Sequence, residues 1–324
     1  MRKWTVYILL AVCLSGCGQG NGNKQGGFSN SAIADSIPSE AIRLKIQGND
    51  LVNKGDYNAT MECYTKAIEI YPKYDTAFYN LGKISSKLGD NKKAIAYYTK
   101  AIEINAHYLF AYYNRGNSKA NLGDIQGAIA DYTKAIKINP QYTKAYYNRG
   151  LNKAKRNDYK GAISDYTQAI NINSQYVNAF YNRGNLKSNL GDNKGAIADY
   201  LKVIEINPKY INAYINLGVV KFDIGDYEGE IATYRQAIKN CKPDADLFNN
   251  LGRALYDLKR FKEAAEAYGE GIKAFPNDGK LYYGRGLARN QSGDKNGACE
   301  DWHRSSELGC LQANALLPLC GEKE

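Results

Sequence analysis

The sequence predicts an all-α stack of eight helix-turn-helix repeats closed by a C-terminal capping helix, and three observations predict it. First, a glycine returns every 34 residues, at Gly48, Gly82, Gly116, Gly150, Gly184, Gly218, Gly252 and Gly286. A period of this length marks stacked supersecondary units, each too small to bury its own apolar side, rather than one globular core. Second, the positions around that glycine repeat in kind. With the glycine as position 8 of each copy, position 20 reads Thr60, Ala94, Ala128, Ala162, Ala196, Glu230, Ala264, Ala298, and position 24 reads Tyr64, Tyr98, Tyr132, Tyr166, Tyr200, Tyr234, Tyr268, Trp302. Third, most copies are broken in the middle by a turn dipeptide: Gly89-Asp90, Gly123-Asp124, Gly191-Asp192, Gly225-Asp226, Gly293-Asp294. Glycine ends a helix in the left-handed conformation, and aspartate caps the next by accepting from its free N–H groups.

Position 27 is mostly small (Ala67, Ala101, Ala135, Ala169, Ala237), and proline closes several copies at position 32 (Pro72, Pro140, Pro208, Pro276). This small–aromatic–small–proline pattern resembles the tetratricopeptide repeat, over eight copies and about residues 41–310. The resemblance implies a right-handed superhelical solenoid in which helix A (positions near 2–14) lines the concave side and helix B (near 18–31) the outside. It also implies a binding module for proteins or peptides.

The chain has 43 Lys and Arg against 33 Asp and Glu, a net charge of +10. The lysines are spread evenly along the repeats and no block of five or six like charges occurs, so the basic exterior reads as a solvated face and not as a nucleic-acid surface. Tyrosine (28) far outnumbers Phe (8) because the repeat places it at positions 4, 5, 24 and 34.

In chain order, residues 1–16 have the layout of a secretory leader: a basic start, then an apolar run too short to span a bilayer. Leu14-Ser15-Gly16-Cys17 resembles the lipobox of bacterial lipoproteins, which implies cleavage before Cys17 and its acylation. A plain signal peptide is the alternative. Residues 17–38 are the lipidated cysteine and a Gly/Asn/Ser-rich tether. Gly18, by the same resemblance, favours the outer membrane, facing the periplasm. Residues 39–310 hold the eight repeats. Asn157-Asp158 keeps the turn chemistry, whereas Lys259-Arg260 does not. Glu230 at a small-residue position and the shifted Pro243 read as relaxed packing, with a local bend as the alternative.

Residues 311–324 form the expected cap and tail, with Leu311, Ala315, Leu316 and Leu319 as its apolar face. Cys299 and Cys320 fall opposite each other if helix B runs down to Cys310 and the cap returns. An exported location permits a disulfide there; free buried thiols are the alternative. A zinc site from Cys299, His303, Cys310 and Cys320 matches no common module spacing. No nucleophile–base arrangement, phosphate-cradling loop or metal-ligand pair emerges, so no enzyme, cofactor, metal or small-molecule substrate is expected. Asp131, Asp165 and Asp199 recur at position 23, too far apart to act as a catalytic pair.

The candidate site is a ladder on helix A. Position 6 reads Asn80, Asn114, Asn148, Asn182, Asn216, Asn250; position 5 has Tyr79, Tyr113, Tyr147, Tyr181; position 9 adds Asn49, Asn117 and Asn185. Carboxamides offer one acceptor and two donors each to a peptide backbone, and tyrosines supply apolar area plus a hydroxyl. The ladder resembles that of the repeat superhelix in sugar transferases that modify intracellular proteins, which implies extended-peptide binding. Asparagine at positions 6 and 9 is also repeat consensus, so simple duplication is the competing reading. Lys45, Asn49 and Asn80 match the start of the chaperone-tail carboxylate clamp, but Phe110 and Asn114 stand where its lysine and arginine belong. The expected function is a lipid-anchored envelope scaffold with a protein or peptide in its groove. The alternative is a non-catalytic subunit of an assembly or regulatory complex that uses the convex face or the cap.

Overall fold

The structure, a computed structural model, describes residues 37–321. The leader, Cys17, most of the tether and the last three residues lie outside the described residues, and so do the expectations that rest on them. Among the described residues there is no strand, and none of the helices is long and apolar enough to cross a membrane.

The chain divides between Ile172 and Asn173 into two compact units, each holding four helix pairs. In the first unit the pairs are α1 (Ser39–Lys54) with α2 (Tyr57–Ile70), α3 (Asp75–Lys87) with α4 (Asn91–Ile104), α5 (Leu109–Asn121) with α6 (Ile125–Ile138), and α7 (Thr143–Lys155) with α8 (Tyr159–Ile172). In the second they are α9 (Val177–Asn189) with α10 (Asn193–Ile206), α11 (Ile211–Asp223) with α12 (Tyr227–Asn240), α13 (Ala245–Asp257) with α14 (Phe261–Ala274), and α15 (Gly279–Ser292) with α16 (Lys295–Glu307). One turn of helix, α17 (Leu311–Asn314), and a 3-10 turn at Leu317–Cys320 close the array. The fold is therefore the expected helix-turn-helix repeat array with a C-terminal helix.

The turns follow the residues. Asp90, Asp124, Asp158, Asp192, Asp226 and Asp294 each accept from the backbone N–H three residues on, at 2.9–3.0 Å. The seventh repeat departs in chemistry but not in backbone. Lys259 takes the left-handed conformation (φ 58°) that glycine takes elsewhere, and Arg260 makes no cap. Arg260 instead clasps Glu263 through two bonds of 2.7 Å and reaches Glu228 at 3.0 Å. The packing of flanking helices thus overrides a local preference worth about 1 kcal/mol.

Within each pair, the small residue at position 20 and the ring at position 24 are buried, and the position-8 glycine makes room for that ring. A Cβ on Gly82 would lie 2.6 Å from the Tyr98 ring. Four repeats add a buried ionic clasp. Asp131, Asp165, Asp199 and Asp301 at position 23 are almost fully buried, and each accepts two bonds of 2.6–2.9 Å from the position-7 arginine (Arg115, Arg149, Arg183, Arg285). A second cation, Lys119, Lys153, Lys187 or Arg289, completes the set at 2.9–3.0 Å. The recurring aspartates are thus structural, each satisfied within its own repeat.

Two other departures appear in the second unit. Glu230 is 1% exposed and one of its carboxylate oxygens has no hydrogen-bond partner. Burial pushes its carboxyl up to about 7, Arg253 pulls it down, and Asp257 and Asp223 add to the rise. The cap also differs from expectation. Ala313, Leu316, Leu317 and Cys320 pack on Ala298 and Trp302, while Leu311 (76%) and Leu319 (71%) are exposed and Ala315 faces out. The segment is broken into two short turns, the second starting at Leu317-Pro318, so a single helical face over 311–319 never forms. Cys299 and Cys320 are joined as a disulfide, Cα atoms 5.5 Å apart, tying this segment to α16.

Candidate functional site

The A helices place the ladder residues, because positions 2, 5, 6, 9 and 13 fall on one stripe of a helix. The structure brings neighbouring copies of the ladder together as a hydrogen-bonded seam. Asn148 Nδ2 donates to the hydroxyl of Tyr113 (3.0 Å) and to Asn117 Oδ1 (3.0 Å), both one repeat earlier. Asn216 Nδ2 does the same to Tyr181 (3.1 Å) and Asn185 Oδ1 (2.9 Å). Asn114 Nδ2 donates to Tyr79 (3.0 Å), and Asn80 Nδ2 approaches Asn49 Oδ1 (3.4 Å). The position-9 amides are held from the other side too: Asn49, Asn117 and Asn185 Oδ1 accept from the hydroxyls of Tyr64, Tyr132 and Tyr200 at 2.7–2.8 Å. Asn182 is likewise engaged, and Asn250 is half-buried on α13. In the last repeat Gly284 takes the ladder position, where a Cβ would meet the Tyr268 ring at 2.4 Å.

The ladder tyrosines sit in aromatic stacks. Tyr79 lies 5.8 Å from Tyr98 and 4.9 Å from Tyr108; Tyr113 lies 5.9 Å from Tyr132 and 5.1 Å from Tyr142. Tyr181 repeats this with Tyr200 and Tyr210, and Tyr147 packs on Tyr166. Burial pushes the Tyr79 hydroxyl up to about 12, and those of Tyr113 and Tyr181 also rise, so all three are neutral donors and acceptors at physiological pH.

These internal bonds limit what the face can offer. Both donors of Asn148 and Asn216 are used within the seam, which leaves their Oδ1 acceptors. For Asn49, Asn117 and Asn185 the acceptor is used; Asn49 keeps its N–H, whereas Asn117 and Asn185 also turn amide N–H toward the Tyr113 and Tyr181 hydroxyls. Within each unit the result is a row of acceptors and donors on its A helices, beside tyrosine rings that are half-buried at Tyr79, Tyr113 and Tyr147 and buried at Tyr181. Phe110, at repeat position 2 on α5, is 47% exposed beside it, edge-on to Tyr142 at 6.0 Å. The sequence signal for this internal pairing is a match between copies: an asparagine at position 6 follows a tyrosine at position 5 and an asparagine at position 9 one copy earlier. It becomes visible only once the copies are aligned.

No group of three or more His, Cys, Asp or Glu side chains converges on a common point among the described residues. Cys310 lies apart from the disulfide, its Sγ 3.2 Å from Gln312.

Models of the tetratricopeptide repeat match residues 76–108, 110–142, 211–242 and 245–278, and a TPR repeat model matches 48–89, 153–191 and 189–225. The chain belongs to the tetratricopeptide repeat family. No curated protein matches it. Among solved structures, this TPR chain is similar to YrrB, described as a TPR protein with an unusual peptide-binding site. The two are 25% identical, with 61% of this chain and 99% of that one covered and a TM-score of 0.52. A tetratricopeptide repeat protein from Parabacteroides merdae is 20% identical over 87% of this chain and 99% of that one, at a TM-score of 0.53. A MamA protein is 24% identical over 52% and 92%, at 0.50. The last two likenesses concern the fold alone.

Proposed function

We propose that this TPR protein is a non-catalytic scaffold, lipid-anchored through Cys17 in a bacterial cell envelope, that holds an extended peptide or protein segment against its A helices. The observation that carries the reading is the amide–tyrosine row. After the seam is made, it still presents the Oδ1 acceptors of Asn148 and Asn216 and the N–H of Asn49, on side chains already held by hydrogen bonds. The similarity to a solved TPR protein described by its peptide-binding site supports the same use. Anchoring and envelope location rest on the leader and the Leu14–Cys17 motif. Two acyl signals on one cysteine would make the attachment stable.

A second reading has its own observation: Leu311 and Leu319, on the segment that closes the last repeat, are both exposed and offer apolar area to a complex partner. Site-specific photo-crosslinking separates the two. A benzoylphenylalanine at position 110 or at position 311 is irradiated in intact cells, and adducts are identified after mild detergent extraction. The scaffold reading expects an adduct from position 110. An adduct from position 311 alone sinks it in favour of the cap. Replacing Cys17 by serine is expected to release the chain from the membrane fraction; retention would refute the lipid anchor.

A further inference from the structure

The two units differ in a property that the repeat pattern does not require. Residues 37–172 carry 20 Lys and Arg against 12 Asp and Glu; residues 173–321 carry 19 against 18. The cations are evenly distributed, as the sequence suggested, but the acids are not. In the first unit the deficit is greatest on the A helices after the first. Neither α5 nor α7 contains an Asp or Glu, and α3 contains only Asp75 at its first position, where it accepts from Asn105 and Thr76.

Most cations on these A helices fall into two sets; outside them, Arg43 pairs with Glu40, Lys54 ends α1, and Lys87 stands 4.8 Å from the centre of the Tyr57 ring. Arg115, Lys119, Arg149 and Lys153 are neutralised by Asp131 and Asp165 in the clasps. Lys45, Lys83, Lys144 and Lys155, at positions 5, 9, 2 and 13, share the ladder stripe, and none of them is in an ion pair among the described residues. Lys83 Nζ stands 5.8 Å from the centre of the Tyr79 ring, which sets it beside the ladder. The same stripe in the second unit mixes signs, with Asp223, Asp246 and Asp257 against Arg253 and Lys280.

We infer that the A-helix face of the first unit takes an extended acidic segment of a partner protein, its carboxylates spread over Lys45, Lys83, Lys144 and Lys155. This rests on the peptide-binding reading above and names the chemistry of that peptide. The remaining polar atoms fit such a ligand: N–H on Asn49 for its acceptors, Oδ1 on Asn148 for a backbone N–H. The lysines stand singly, one or two per repeat, among tyrosines and amides. That arrangement suits an extended chain with spaced carboxylates better than a phosphate backbone or a flat anionic membrane, which call for dense cationic clusters.

The test uses the full chain in detergent and three labelled twelve-residue peptides: one with Asp and Glu spaced by Ser and Gly, its Asn/Gln isostere, and its Lys counterpart. Fluorescence anisotropy is read at low and physiological salt. The acidic peptide is expected to bind at least about tenfold more tightly than the isostere, with the margin shrinking as salt rises. The variant Lys45→Gln/Lys83→Gln/Lys144→Gln should lose that margin with unchanged helicity and melting. A control, Lys194→Gln/Lys239→Gln/Lys273→Gln in the second unit, should keep it. Equal binding of the acidic peptide and the isostere overturns the charge inference and leaves peptide binding standing. No binding of any peptide, together with no adduct from position 110, overturns both. Equal or tighter binding of oligo-dT or phosphatidylglycerol vesicles, dependent on the same three lysines, overturns the acidic protein partner in favour of a general polyanion surface.

Discussion

Repeats three, four, five and eight solve one packing problem with an arginine–aspartate pair, and repeats two, six and seven put a buried leucine where that arginine stands. In the first group positions 7 and 23 are Arg and Asp, bound bidentately and flanked by a second cation. In the second group position 7 is Leu81, Leu217 or Leu251, all buried, and position 23 is Tyr97, Thr233 or Ala267. Both solutions lock helix A onto helix B at the same point with the same backbone. The charged one adds direction, because the arginine also stacks on the ring at position 4 (Tyr112, Tyr146, Phe180, Tyr282), at 5.5–5.6 Å. Arg115 and Arg149 further donate to Thr99 and Thr133 of the preceding repeat at 3.0 Å. A buried ion pair contributes little net stability over a well-packed apolar pair but is costly to break halfway. The difference therefore concerns the definition of geometry more than strength.

The largest expected effect breaks a clasp from one side. Asp165→Ala leaves Arg149 and Lys153 without their buried partner and should cost about 3–5 kcal/mol in urea unfolding. Transplanting the whole seventh-repeat solution, Arg149→Leu/Lys153→Leu/Asp165→Ala, copies Leu251, Leu255 and Ala267 and should cost less than about 1 kcal/mol. If the triple variant is as damaged as the single one, the two solutions are not interchangeable and the comparison fails.

Next comes the sixth repeat, where a carboxylate is buried with one of its oxygens unpartnered. Glu230 sits where other copies have alanine, its carboxyl raised to about 7 by burial. Because the folded value lies above the unfolded one, its contribution is fully present below about pH 4.5 and is lost as pH rises through 7. Between pH 5 and pH 8 that amounts to about 2–3 kcal/mol. Glu230→Gln should flatten this part of the stability–pH profile and raise the melting temperature at pH 8. A profile unchanged by the substitution would mean that Glu230 ionises normally in the folded chain.

A smaller effect is expected at the turn of the seventh repeat. Lys259→Gly should stabilise by about 0.5–1 kcal/mol, since glycine has no penalty at φ 58°. Asn157→Gly, at φ 63°, should gain less, because asparagine already tolerates that conformation. Thermal melts of the two variants beside wild type decide it.

The repeat register was legible in the sequence down to single turns, because glycine, aspartate, alanine and tyrosine each have one physical role at a fixed position. Pairings between positions were not. Asp131, Asp165 and Asp199 stood out, but only as residues too far apart for chemistry. The informative fact was that each copy with Asp at position 23 also has Arg at position 7, a correlation within copies that a position-by-position reading passes over. The cap escaped for a different reason. Leu311, Ala315 and Leu319 fit a helical period, but Pro318 breaks the segment, so the period never becomes a face. At Lys259 the local residue is outvoted by its neighbours, and no local rule reports that.

The smallest prediction bears on whether the ladder is a seam, a site or both. Tyr113→Phe and Asn148→Ala each remove one side of the 3.0 Å bond between adjacent repeats. A double-mutant cycle should give a coupling of about 0.5–1.5 kcal/mol in unfolding. The same four proteins should then be compared for binding of the acidic peptide. Asn148→Ala deletes the free Oδ1 and should weaken binding, whereas Tyr113→Phe leaves that atom in place and should weaken it less. If both variants lose affinity only in proportion to lost stability, the row acts as seam alone and the lysines carry the recognition. If Asn148→Ala loses affinity beyond its stability cost, the amides serve both neighbour and ligand, donors inward and acceptor outward.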